Sequence, residues 1–586
     1  MMHQTTWEIA DKNVQYRIIN AIIKEKIFPK KMSVNETQSC VELQYREELL
    51  QIDKVRKSAM ERYIFKGNVR YINNGQTTNI ERLEQLLDIL NNQFNIPINK
   101  KLKEELISSR DGFVLTYKQF HNREMLIHDA LKFSKMPRNI NYFTWQKHIE
   151  TTTQMNSLSY SESMVLEGHP THPLSKTKLP LTEDQVKLYA PEFEKIIPLK
   201  IMLIHKTDCI TTSIENDSQY ILNHIIPEYR YKIKAFLEPY NLALDNYRVM
   251  FVHPWQYENT INHYFSKWIK EGRLIPTPFE LESRSTLSFR TMELINKPYH
   301  IKLPINAQAT SAIRTVSTVT TVDGPKLSYE LQDMFATYPQ LQVAKEPYGI
   351  YANEEDDIAC QLACIVRHKP FISKDGITLV TASLMNKNPV DKQVIVDSYL
   401  EWVGDVSKPN AIKQFLCNYA KALIVPLIAY IQDYGIALEA HMQNTIVNLG
   451  PDYQMRFLVR DLGGSRIDLA TLKYKRPNIE ITNTSLIAEN IEVVIAKFQH
   501  SVIQNQIAEL IHHFNQYEQV EEKTLFSLVS DIVNEAIDPE KNHAKVLKEV
   551  LFGPTISVKA LLRMRMENKV KQYKTIELKN PIYREV

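Results

Sequence analysis

Glycine is scarce in this 586-residue chain: 14 residues, well under the usual ~7%. A phosphate site built on a glycine-rich loop is therefore not expected, and any anion site has to rely on side chains and helix ends. Cysteine is thin as well, with five dispersed residues, Cys40, Cys209, Cys360, Cys364 and Cys417. An odd, scattered set gives no disulfide framework. Cys360 and Cys364 stand at helical spacing, but no second pair follows to complete a zinc site. An excess of either charge is also missing. The 71 Lys and Arg against 68 Asp and Glu leave a net charge of +3, which makes no electrostatic case for nucleic acid or an anionic membrane. No apolar run approaches the ~20 residues of a membrane span; the longest, ALIVPLIAYI at 422–431, reads as a core helix. The first residues lack the apolar core of a signal peptide, so a soluble, cytoplasmic protein is expected. Hydrophobic content of 44% and charged content of 24% are those of an ordinary globular chain, long enough for two to four domains.

What is present concentrates in two stretches. In residues 284–317, TLSFRTM and YHIKLPI alternate apolar and polar residues about an Asn296-Lys297-Pro298 turn, the pattern of a hairpin. Such a hairpin sets Arg290 roughly opposite Lys302, and facing cations make sense if an anion lies between them. Thr310-Ser311-Ala312-Ile313-Arg314 reads as a capped helix start, with Thr310 and Arg314 on one face. Ser288, Arg290, Lys302, Thr310 and Arg314 then converge on a polyanion. The bland alternative is a solvated hairpin face with scattered basic residues. Upstream, GHPTHPLSK at 168–176 reads as a stiff, extended loop, because each proline forces the histidine before it out of the α region. His169 and His172 then point to opposite sides, and His169 and Lys176 become phosphate donors; the alternative is a Pro-rich surface turn. DDIACQLACIVRHKP at 356–370 looks helical up to the proline, with Arg367 suited to the helix C-terminus.

The second stretch, Glu439 to Gly464, reads as a polar elbow, a strand (TIVNL), a turn (GPDY), a return strand (MRFLV) and then Arg460-Asp461-Leu462-Gly463-Gly464. A hairpin returns its ends to one place, so Glu439, Asn444 and Asp461 can meet as hard oxygen ligands for magnesium on nucleotide phosphates. His441 and Gln443 face a polar substrate. The competing readings are strand-capping polar residues, or a kinase-like phosphotransferase, although Met442-Gln443 stands where a catalytic Asp is wanted. Residues 1–158 look largely helical, with Thr78 or Asn79 capping NIERLEQLLDILNNQF, and the C-terminal hundred residues are mostly amphipathic helix.

Taken in order, GHPTHPLSK, HPWQ (253–256), SFRT (288–291), Lys302, TSAIR (310–314), EAHMQN (439–444) and RDLGG (460–464) resemble the IucA/IucC family of NRPS-independent siderophore synthetases, from about residue 150 to the C-terminus. The resemblance implies an α+β cupped hand: a mostly helical thumb (1–158), fingers with a mixed, mainly antiparallel sheet (159–389) and a helical palm bearing the hairpin (390–586), usually as a homodimer. It implies Mg2+ and ATP: a carboxylate is adenylated, pyrophosphate leaves, and an amine or hydroxyl captures the acyl group. Carried over to this chain, His169, Lys176, Ser288, Arg290, Lys302, Thr310, Arg314, Gln443, Asn444 and Asp461 become nucleotide contacts. Arg314, Thr310, His441 and Gln443 become carboxylate contacts, Arg314, Lys302 and His441 the catalytic set, and Glu439, Asn444 and Asp461 the metal side. Within the family, overall resemblance favours a 2-oxoglutarate-using synthetase of the staphyloferrin B pathway that acylates a citryl-diamine. Citrate-using synthetases are the alternative, and a kinase or a non-catalytic sensor stands further off.

Overall fold

The computed structural model describes residues 5–152, 156–370, 375–404, 408–568 and 574–585. The N-terminal helix Thr6–Lys24 is fixed by a capping box, Thr5 accepting from the Glu8 amide and the Glu8 carboxylate accepting from the Thr5 amide. The region expected to be mostly helical then makes a five-stranded antiparallel meander from Met32 to Ile80. Its amphipathic strands close on the helices through Val14, Ile18, Ile22, Leu43 and Leu50. Thr78 and Asn79 lie in the last of these strands, and the following helix, Leu83–Asn92, begins later. Its first free amide, on Leu83, donates to Asp11 Oδ1 at 3.0 Å.

The centre of the molecule is an eight-stranded sheet in which every neighbouring pair is antiparallel. Strands Thr291–Leu294 and Tyr299–Lys302 lie in its middle, joined by the expected turn. Buried Met292, Ile301 and Ile350 hold this sheet to its own core. The DDIACQLACIVRHKP segment departs from expectation. A short helix, Asp356–Ala359, gives way to strand Ala363–His368, so Arg367 sits on a strand inside the sheet. A parallel strand pairing lies in a separate four-stranded sheet, where Leu341–Val343 runs beside Met455–Val459.

The largest core surrounds helix Lys408–Tyr434, which carries Pro426 within it. Gly435, at φ +64°, ends that helix as a left-handed cap. This helix is long and apolar enough to cross a membrane by composition alone, yet 67% of its most apolar window is buried inside the protein. The same core takes in Tyr142 and Trp145, as well as Leu327 and Leu379, so packing does not follow blocks of sequence. The fold is a mixed α+β hand in which this core supports the strand pair Thr445–Leu449 and Met455–Val459.

Candidate functional site

From the sheet side, Ser288 and Arg290 occupy the turn between strands Leu274–Ser285 and Thr291–Leu294. Lys302 is therefore paired with Thr291, one residue from the expected partner, while the Arg290 carbonyl accepts from the Leu303 amide at 3.0 Å. The expected convergence of the two cations survives this shift. The Thr310–Arg314 segment is not a helix start. Strands Ile305–Ala309 and Ala312–Arg314 form a tight hairpin, Thr310 has φ +60°, and the next helix begins at Thr318. Arg314 comes from a strand and brings no helix N-terminus with it.

From the palm side, the expected hairpin is present, with Thr445 opposite Val459. The Arg460 amide donates to the Asn444 carbonyl at 2.9 Å, which brings the Asn444 and Asp461 ends of the strands together. Glu439 reaches the same wall because residue 464 is glycine: a Cβ there would stand 1.8 Å from Glu439 Oε2.

The two sides meet. Ser288, Arg290, Lys302 and Arg314 line one cavity of about 260 Å3 with Glu439, His441, Gln443, Asn444 and Asp461. Lys302 Nζ bonds Asp461 Oδ1 at 2.7 Å, and Lys497 Nζ bonds Glu439 Oε1 at 2.5 Å. Burial opposes ionisation of Asp461, but Lys302, Arg367 and Arg290 outweigh it and hold the carboxyl far below the usual range. Burial pushes Arg290 down to about 10, helped by Arg314, and lowers Lys302 and Arg314 as well. His441 is pushed down by burial and stays neutral near pH 7. Among the described residues Arg290 and Arg314 form no ion pair. Arg290 Nη1 donates to the Thr315 carbonyl and Arg314 Nη2 to the Ala309 carbonyl, and Arg290 Nε is buried without a partner.

Two arginines of this cavity were not singled out as site residues from the sequence. Arg367 donates twice to Glu346 Oε1, at 3.0 and 2.6 Å. Arg460 pairs with buried Glu162 and donates to the Gln443 carbonyl at 3.0 Å. Glu162 also accepts the Leu287 amide at 2.6 Å, so one carboxylate ties the Ser288 turn to the Asp461 loop. The oxygens of Glu439, Asn444 and Asp461 fit a hard cation in kind. Each carboxylate meets its lysine through one oxygen, leaving the other outside that ion pair. Among the described residues no group of three or more His, Cys, Asp or Glu is arranged to hold a metal by itself.

A larger chamber of about 610 Å3 shares Ser288, Arg314, Glu439, His441 and Gln443 with the first. His169, Lys176 and Thr310 line this chamber and not the smaller cavity. Lys176 is not available to a phosphate. It is buried, bonded to Glu192 Oε1 at 2.6 Å and to the Val165 carbonyl at 2.9 Å. The His-Pro loop is folded into turns and is not extended. His169 and His172 stack edge to face at 5.9 Å, so they do not point to opposite sides. His169 Nδ1 accepts from the Thr171 and His172 amides, both at 3.3 Å, which leaves its proton on Nε2. His172 and His253 use Nδ1 in the same way, on the Leu174 and Trp255 amides, and burial pushes both down to about 3.

Comparison with known proteins accords with this geometry. The IucA/IucC family model matches residues 157–386, and a model described as "Ferric iron reductase FhuF-like transporter" matches residues 413–574. The chain is 59% identical over 580 residues to staphyloferrin A synthase of Staphylococcus aureus, covering 99% of each. It is 28% identical to D-ornithine–citrate ligase of the same organism, over 72% of this chain and 70% of the relative. Identity to S. aureus staphyloferrin B synthase is 24% over 64% of this chain and 66% of the relative. The expected kinship with the staphyloferrin B pathway is therefore overturned. In fold, the chain superposes on the petrobactin biosynthesis protein AsbB of Bacillus anthracis with a TM-score of 0.80 at 17% identity, covering 99% and 96%. For the ATP-bound aerobactin synthetase IucA of Klebsiella pneumoniae the score is 0.75 at 18% identity, covering 98% and 100%. With one relative matched from end to end at 59% identity, the chain belongs to the IucA/IucC family of NRPS-independent siderophore synthetases, enzymes of the ATP-dependent acyl-adenylating ligase type.

Proposed function

We propose that this enzyme adenylates citrate and transfers the citryl group to an amine of the ornithine class, in place of the 2-oxoglutarate reading. The observation that carries an acid–phosphate site is the pair of half-buried arginines, Arg290 and Arg314, that face one cavity without an ion-pair partner among the described residues. Such forks suit bidentate contact with phosphate or carboxylate. Citrate is supported by the names of the relatives. D-ornithine–citrate ligase resembles this chain more than staphyloferrin B synthase does, and the full-length relative is a staphyloferrin A synthase.

In the first step a carboxylate oxygen attacks the α-phosphorus, a P–O bond breaks and pyrophosphate leaves. Lys302, Arg290 and Arg314 hold the two anions together against their repulsion. Glu439, Asn444 and Asp461 would hold Mg2+, which would neutralise phosphate charge. In the second step the amine nitrogen attacks the acyl carbon, the bond to AMP breaks, and the amine's proton passes to a base. We assign that role to neutral His441, which lines both cavities.

The test is pyrophosphate release with hydroxylamine as acceptor and citrate, 2-oxoglutarate or succinate as the acid. Citrate supports release and 2-oxoglutarate does not; the opposite order overturns the acid assignment. Arg314→Ala lowers citrate-dependent release by about 100-fold or more with the circular dichroism spectrum unchanged. Retained activity rejects the site.

A further inference from the structure

The chamber beside the adenylation cavity carries an excess of positive charge: eight Lys and Arg side chains line it against five carboxylates. Five are matched within the protein, Lys178 with Glu192 at 4.0 Å among them, and Arg314 also faces the adenylation cavity. Arg17 pairs with Glu167, Arg62 with Glu509, Lys176 with Glu192 and Arg565 with Glu105. Lys24 differs. It projects from the last turn of helix Thr6–Lys24 into the chamber, and among the described residues it makes no ion pair. Burial, with Arg62 as a repelling neighbour, outweighs the pull of the Glu509 and Glu25 carboxylates and lowers its pKa. A helix C-terminus alone explains a lysine there. It does not explain one set on a chamber wall with a second cation beside it.

Around it, Glu522 is already occupied, accepting the Ala59 amide at 3.1 Å on each oxygen. Glu25 caps the Leu562 and Arg563 amides at 3.1 and 2.8 Å. The wall shared with the smaller cavity is where the acyl group would be presented. An amine reaching that wall through the chamber trails its remaining groups towards the N-terminal helix. A trailing carboxylate finds a cation there, and a trailing ammonium finds repulsion.

Resting on the proposed adenylation reading, we propose that the N-terminal end of the chamber is the acceptor subsite, where Lys24 takes a carboxylate carried by the acceptor amine. The enzyme then selects carboxylated amines over plain polyamines, which gives the N-terminal region a part in substrate choice.

The experiment uses the full-length enzyme with matched acceptors that differ by one carboxylate: D-ornithine and putrescine, each also as its mono-citryl amide. Amide formation is normalised to hydroxylamine capture by the same variant. The wild type uses the carboxylated member of each pair with at least tenfold higher kcat/KM, Lys24→Met brings the ratio near one, and Lys24→Arg restores it. A wild-type ratio near one, or an unchanged ratio in Lys24→Met, overturns the inference. So does hydroxylamine capture with every carboxylated amine inert, and in that case the adenylation reading stands. Absence of hydroxylamine capture in the wild type removes the adenylation reading, and the inference falls with it.

Discussion

Residue type and spacing brought three cations to one cavity but did not give the partners of the other basic residues. Arg290, Lys302 and Arg314 gather on one cavity as the sequence implied, because strand alternation about a clear turn is a short-range signal. Lys176, in an equally suggestive motif, is committed to Glu192, and that pairing depends on how the chain packs. The structure therefore assigns Lys176 to stability. Two lysines outweigh burial and hold the Glu192 carboxyl down to about 2, Lys176 in contact and Lys178 4.0 Å away. Removing one partner of a buried pair leaves a charge uncompensated, at a cost of about 3–5 kcal/mol, and Lys178 moves the expected loss to the lower end. Lys176→Met is expected to lower the denaturant midpoint clearly while leaving the KM for ATP within about twofold. A KM rise of tenfold or more in folded protein would restore the phosphate role.

At the scale of elements, the misread segments share a cause. TSAIR has the composition of a helix cap, yet it turns back at once into a strand. The apolar run of ACIVRH fits a helix as well as a strand buried on both faces, and periodicity cannot separate them; the sheet decides, and Arg367 is carried into the site. Glu162 lies 298 positions from Arg460, beyond the reach of any local pattern. The Asp461–Gly464 loop makes a sharper demand. Gly464→Ala forces Glu439 off its wall, since the added carbon would overlap Oε2. The expected result is a rise of at least tenfold in the Mg2+ concentration for half-maximal pyrophosphate release, with overall stability little changed. An unaltered Mg2+ dependence removes Glu439 from the metal side.

The His-Pro turns add a pH dependence. His253 has its folded pKa pushed down to about 3 from 6.5, so between these values the unfolded chain binds the extra proton and the folded one does not. Stability is full above about pH 6.5 and falls as pH drops towards 3. His253→Asn keeps an acceptor for the Trp255 amide and removes the titration. Urea midpoints measured from pH 7 to 5 should therefore fall less steeply in the variant than in the wild type.

At the scale of the whole molecule, the two-step chemistry needs the chamber to exclude water while an activated acyl group waits for its amine. One wall of that chamber is the strand-hairpin tip Ala59–Arg62, and polar contacts fasten this tip to the C-terminal helices. Glu522 accepts the Ala59 amide, Arg62 pairs with Glu509, and Arg56 donates to the His512 carbonyl at 3.0 Å. None of these groups lines the smaller cavity where adenylation is proposed. Loosening the clasp should therefore separate the two half-reactions. In Glu522→Ala the Ala59 amide loses its acceptor and the tip is released from the helix Glu522–Ala536. Adenylation continues, but water competes with the amine for the acyl group. The expected signature is more than one pyrophosphate released per amide formed, against a ratio near one in the wild type, with hydrolysis back to the free acid accounting for the difference. A ratio that stays at one means the chamber keeps water out without its N-terminal wall.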